Sequence, residues 1–78
     1  MQRIRPDLDI GANIQKLRKA KGLTQLEVIA KLNLMGLEMT QSTYSKLETN
    51  RMNIRVSELV ALTKILNVDY NAFFEGIG

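Results

Sequence analysis

The stretch Gly22-Leu23-Thr24-Gln25, followed further along by Thr40-Gln41-Ser42-Thr43-Tyr44-Ser45-Lys46-Leu47-Glu48, decides the fold. Each Thr-Gln pair heads a short segment with helical apolar spacing. A Thr in that position accepts a backbone N–H of the first helical turn and so caps the helix. The Gln after it lies at a helix N-terminus, where spare N–H groups and the helix dipole favour a phosphate. In the second segment small and amide side chains occupy one face, with Tyr44 and Leu47 on the other. The pattern predicts two short capped helices, the second anchored by its apolar side and turned outward by its polar side.

Working outward, residues 1–8 read as an N-terminal arm and residues 9–78 as one domain. Pro6 restricts Arg5 to extended conformations. Asp9 can cap a first helix whose Ile10, Ile14 and Leu17 fall on one stripe. Lys19, Lys21 and Gly22 close it, with cations in the last turn and a glycine suited to a left-handed end. The second helix runs from Thr24 to near Leu34, with Val28, Ile29 and Leu32 inward, and Gly36 breaks it. Residues 35–39, Met-Gly-Leu-Glu-Met, are apolar for a connection. The third helix runs from Thr40 to near Glu48, and residues 49–55 form a polar, basic connector with turn-prone Asn50 and Asn53. Val56, Leu59, Val60, Leu62, Ile65 and Leu66 mark a fourth helix, expected to be the most buried, which Asn67 can end in the left-handed conformation. Asp69 can cap a last short helix holding Tyr70, Phe73 and Phe74. No alternating strand pattern, repeat or low-complexity segment interrupts this order, so the expected fold is all-α, a compact bundle of five helices.

The chain has 78 residues. At that size the core is thin, and ideal packing or a dimer partner matters for stability. A hydrophobic content of 45% excludes a disordered polar chain. No run approaches the ~18 apolar residues of a membrane span. Arg3 and Arg5 are not followed by the apolar segment of a signal peptide, so a cytoplasmic protein is expected. There is no cysteine and no histidine. Thiolate and imidazole metal sites are thereby excluded, along with the usual general base near neutral pH. No enzyme, metal or cofactor is expected.

Net charge is +3, unevenly spread: residues 1–22 carry +4, residues 40–55 carry +2, and residues 56–78 carry −2. Such asymmetry suits one face toward a polyanion and another toward solvent or protein. Helices that are merely solvated carry similar clusters, which is the alternative. A helix with an uncharged-to-basic outer face and an apolar anchoring face is what entry into the DNA major groove asks for.

These markers, Ile10-Gly11, Ile14, Leu17-Arg18, Gly22-Leu23-Thr24-Gln25 and Thr40 to Glu48, continue through Leu59, Leu62, Ile65-Leu66-Asn67-Val68 and Phe73-Phe74. In this order the chain resembles the phage repressor/Cro-type helix-turn-helix family, also called xenobiotic-response-element type, over residues 10–74. It departs from the family twice. The connection between the second and third helices runs about five residues beyond the motif's tight turn. Ile29 stands where the family generally has a small Ala. The two departures go together if Leu34, Leu37 or Met39 fills the gap between splayed helices; the other use of the segment is a tongue touching DNA backbone or a partner.

The resemblance implies a compact repressor-like domain that binds double-stranded DNA and regulates transcription, as a repressor, from the cytoplasm on the nucleoid. It implies base contacts from Gln41, Ser42, Ser45 and Lys46. Independently, a Gln amide can pair with adenine N6/N7 and a Lys can donate to guanine O6/N7, and these four positions share an exposed stripe. By the same resemblance Gln25, Thr43, Asn50, Arg51, Asn53 and Arg55 contact the DNA backbone, contacts that position rather than specify. Gln25 in the family often steadies the first Gln of the recognition helix. Arg55 has a second reading, as an imperfect start to the fourth helix. Arg3 and Arg5 either reach along the duplex or belong to a disordered arm. Arg18 and Glu48 match a partly buried salt bridge of the family and read as structural. Tyr70, Phe73, Phe74 and Ile77 are either core or a homodimer surface used on DNA. Two rival functions remain: an antitoxin-type regulator that binds a protein partner as well as DNA, and a protein-interaction module that does not bind DNA.

Overall fold

The computed structural model describes residues 10–74. The arm with Arg3 and Arg5, the cap at Asp9, and Ile77 fall outside the described residues. Five helices follow one another: α1 (Ile10–Ala20), α2 (Gln25–Leu34), α3 (Gln41–Glu48), α4 (Val56–Leu66) and α5 (Tyr70–Phe73). Among the described residues there is no strand.

Local chemistry explains where each helix begins and ends. Thr24 accepts the Glu27 N–H at 3.1 Å while Glu27 accepts the Thr24 N–H at 2.8 Å, a reciprocal capping box. Thr40 accepts the Thr43 N–H at 3.1 Å. Arg55 opens α4 without a side-chain cap, its backbone N–H going to Glu58 Oε1 at 2.9 Å. The C-terminal ends of α1 to α4 each turn through a left-handed residue: Gly22, Gly36, Asn50 and Asn67. At Gly36, with φ +88°, the Leu37 N–H reaches back to Leu32 O and the Gly36 N–H to Asn33 O, both at 3.0 Å. These bonds satisfy carbonyls that a helix end otherwise leaves unpaired.

The core is formed by Ile14, Val28, Ile29, Leu32, Met39, Tyr44, Leu47, Ala61, Leu62, Leu66 and Phe73, with Ile10, Leu17 and Leu37 packed against it. Helix α3 packs between α1 and α2, α4 lies on α2, and α5 closes against α1 and α4. The long connection is used for packing: Met39 is buried and Leu37 half-buried, and the Met39 N–H is held by Asn33 Oδ1 at 3.0 Å. Leu34 does not join them and is 87% exposed. It lies two residues beyond buried Leu32, which at 3.6 residues per turn points it nearly the opposite way. The apolar stripe read for α4 is buried only in part. Val56 is 76% exposed, Leu59, Val60 and Ile65 are half-buried, and small Ala61 takes a core position.

Candidate nucleic-acid interface

Helix α3 divides its sides cleanly. Tyr44, Leu47 and Glu48 are buried, three positions with the i, i+3, i+4 spacing of one helical face. Gln41, Ser42 and Lys46 are exposed. Ser45, four residues after Gln41, is half-buried on the flank toward α2, and Thr43 is half-buried with its hydroxyl against Thr40 Oγ1 at 3.1 Å.

Beneath this surface a polar network locks α3 to α1 and α2. Arg18 Nε donates to Glu48 Oε2 at 2.7 Å, and Arg18 Nη2 to Glu48 Oε1 at 3.1 Å. Arg18 Nη1 donates to Leu23 O at 2.8 Å, which pins the turn before α2. Gln25 Nε2 donates to Glu48 Oε1 at 3.0 Å, and Ser45 Oγ donates to Gln25 Oε1 at 3.0 Å. Burial works to raise the Glu48 carboxyl pKa, but the hydrogen bonds from Arg18 and Gln25, together with the polar Tyr44 hydroxyl nearby, outweigh it and hold it below the ordinary value. The bond to Glu48 raises Arg18, against a smaller opposing effect of burial. Burial, with Glu48 beside it, pushes the Tyr44 phenol well up. The phenol therefore stays neutral, and its oxygen has no hydrogen bond of good geometry. The pair Arg18–Glu48 read from the sequence is thus present, and it is buried more fully than the resemblance implies, at 7% and 3% exposure.

The remaining sequence-derived candidates fare differently. Gln25 turns toward Glu48 and Ser45 rather than toward Gln41. Asn50, in the left-handed region at φ +59°, accepts the Gly11 N–H on Oδ1 at 2.9 Å, joining the start of α1 to the end of α3. Arg51, Asn53 and Arg55 are exposed, with Arg51 Nε on Thr49 Oγ1 at 3.1 Å. Phe73 is fully buried and belongs to the core, leaving Tyr70 and Phe74 as the exposed aromatics at this end.

Two structural residues escape a reading by apolar spacing. Asn13 is buried and donates to Phe73 O at 2.8 Å. Gly11 sits so close to α3 that an added Cβ would overlap Leu47 O and lie 2.8 Å from Asn50 Oδ1. The available signal is position: Asn13 lies within the Ile10–Ile14–Leu17 stripe, and Gly11 precedes Ile14 and Arg18 by three and seven residues on the same side of the helix.

This arrangement, two helices joined by a turn with the second pinned by its inner face, is the architecture of the motif. A family model described as helix-turn-helix matches residues 14–73, most of the chain. The chain belongs to the helix-turn-helix family. Its members bind DNA and regulate transcription, and this chain is assigned to that class. The family is a regulatory rather than a catalytic one. No curated protein and no solved structure matches the chain. Among the described residues, no helix is long and apolar enough to cross a membrane.

Proposed function

We propose that this helix-turn-helix protein is a sequence-specific repressor that reads the major groove of double-stranded DNA with α3 and works on the nucleoid in the cytoplasm. The observation that carries the reading is the division of α3. Its inner face is locked by Tyr44, Leu47 and the Arg18–Glu48 pair, while Gln41, Ser42 and Lys46 stand exposed. A rigid helix with free amide, hydroxyl and ammonium groups offers the donors and acceptors that base edges require. We take residues 9–78 as the DNA-binding unit.

The proposed base contacts are Gln41, Ser42, Ser45 and Lys46, the last three toward the centre of the outward face or its α2 flank. The proposed backbone contacts are Arg51, Asn53 and Arg55, with Gln25 and Thr43 at the two helix starts. Asn50 contributes by shaping the turn after α3, since its Oδ1 holds the Gly11 N–H. Tyr70 and Phe74, 47% and 41% exposed, are the proposed contact between two copies on adjacent half-sites. The same pair favours one second reading, an antitoxin-type regulator that holds a partner protein there. Selection of bound duplexes from a random-sequence pool, beside a Gln41→Ala/Lys46→Ala control, tests the main reading. A motif that the double variant loses supports it, and palindromy reports a dimer. Weak binding with no motif, abolished at modest salt, refutes it.

A further inference from the structure

The hydrogen bonds that run from the buried ion pair to the surface of α3 have only one possible order of donors and acceptors. Glu48, paired with the Arg18 guanidinium, carries no proton and can only accept. The Gln25 atom 3.0 Å from Glu48 Oε1 must therefore be the amide nitrogen. That turns the Gln25 carbonyl oxygen toward Ser45 Oγ, 3.0 Å away. A carbonyl oxygen cannot donate, so the serine hydroxyl gives up its single proton to Gln25. Only lone pairs remain on Ser45, on the flank it shares with exposed Gln41 and beside exposed Lys46.

We infer that Ser45 is a specificity-determining residue that can only accept a hydrogen bond from DNA, and so selects a base with a major-groove amino group, adenine or cytosine, on the strand it faces. The inference rests on the proposed reading of the groove by α3. Guanine and thymine present only acceptors there, and a lone pair facing them is left unpaired. An untethered serine would discriminate little, because its hydroxyl rotates to donate or accept. Arg18, Glu48 and Gln25 act through Ser45 as positioning residues, carrying the polarity of a buried charge out to the reading surface.

The test begins with duplexes selected from a random pool by the wild-type chain and by Ser45→Ala, which together identify the base pair whose preference depends on Ser45. In that duplex the amino-bearing base is replaced by an analogue without its amino group, purine for adenine or 2-pyrimidinone for cytosine. The wild-type advantage over Ser45→Ala is expected to shrink by roughly threefold to tenfold, the worth of one hydrogen bond. An advantage that survives removal of the amino group overturns the inference. A second variant, Gln25→Lys, places an ammonium donor between Glu48 and Ser45 and releases the serine proton. Its preference for adenine or cytosine is expected to relax at one position of the selected motif, where guanine or thymine on the same strand becomes tolerated; a motif identical to that of wild type also overturns the inference, and this arm decides if Ser45→Ala fails to fold. A wild-type motif without any Ser45-dependent position refutes the inference alone. A wild-type pool without any motif refutes the reading by α3, and the inference with it.

Discussion

Replacing Glu48 by Ala is the most demanding test of how α3 is held. Glu48 is 3% exposed and accepts Arg18 Nε at 2.7 Å, Arg18 Nη2 at 3.1 Å and Gln25 Nε2 at 3.0 Å. The substitution leaves Arg18, 7% exposed, with Leu23 O as its remaining partner in this network. Stranding one member of a buried pair costs about 3–5 kcal/mol, because the surviving charge is desolvated without compensation. The retained carbonyl contact argues for the lower end, about 3 kcal/mol. A domain of this size holds only about 4–12 kcal/mol in total, so the loss is a large fraction of it. With about 4–8 °C lost per kcal/mol, Tm is expected to fall by about 12–24 °C. Urea unfolding followed by circular dichroism measures the cost, and Arg18→Met/Glu48→Leu completes the argument. The double variant leaves no buried charge and is expected to recover most of the loss. A Glu48→Ala cost below about 0.5 kcal/mol, the range of an exposed pair, refutes the reasoning. So does a double variant no more stable than Glu48→Ala.

The same carboxylate sets a pH dependence: its pKa is lowered on folding, so its contribution is complete above the unfolded value of about 4.3 and disappears as pH falls through the lower folded value. Wild type is therefore expected to lose its advantage over Glu48→Gln in acid, and an advantage independent of pH down to the lowest folded pH contradicts this. Gly11→Ala is expected to destabilise by about 1–3 kcal/mol through overlap with Leu47 O. Helix propensity alone predicts the opposite sign, a gain of about 1 kcal/mol, so the direction of the shift in urea midpoint decides. Arg51→Ala is expected to weaken binding equally across duplexes and to lower the slope of log affinity against log salt by about one, measured by titration at several salt concentrations. Tyr70→Ala/Phe74→Ala is expected to leave the helical content intact and abolish self-association, and a sedimentation profile identical to wild type argues against that surface.

Local signals were readable along the chain because each depends on a few neighbouring residues. The caps at Thr24 and Thr40, the left-handed ends at Gly22 and Asn67, the inward stripes of α1 to α3 and the outward Gln41–Lys46 surface all follow from residue type and the helical period. Together they specify five helices and mark which of them faces outward with polar groups. Tertiary contact decided what those signals leave open. Which of Leu34, Leu37 and Met39 enters the core depends on how the chain leaves α2 at Gly36, and that exit carries Leu37 and Met39 inward and leaves Leu34 in solvent. The roles of Gly11, Asn13 and Asn50 arise from helices distant in sequence approaching one another, which no periodicity within one helix can report. The direction of the Gln25 amide, and with it the hydrogen-bonding character of Ser45, is set by a carboxylate from another turn of α3 that is itself fixed by an arginine from α1. Hydrogen-bond polarity passes from group to group through space, so it becomes legible only once the three helices are packed.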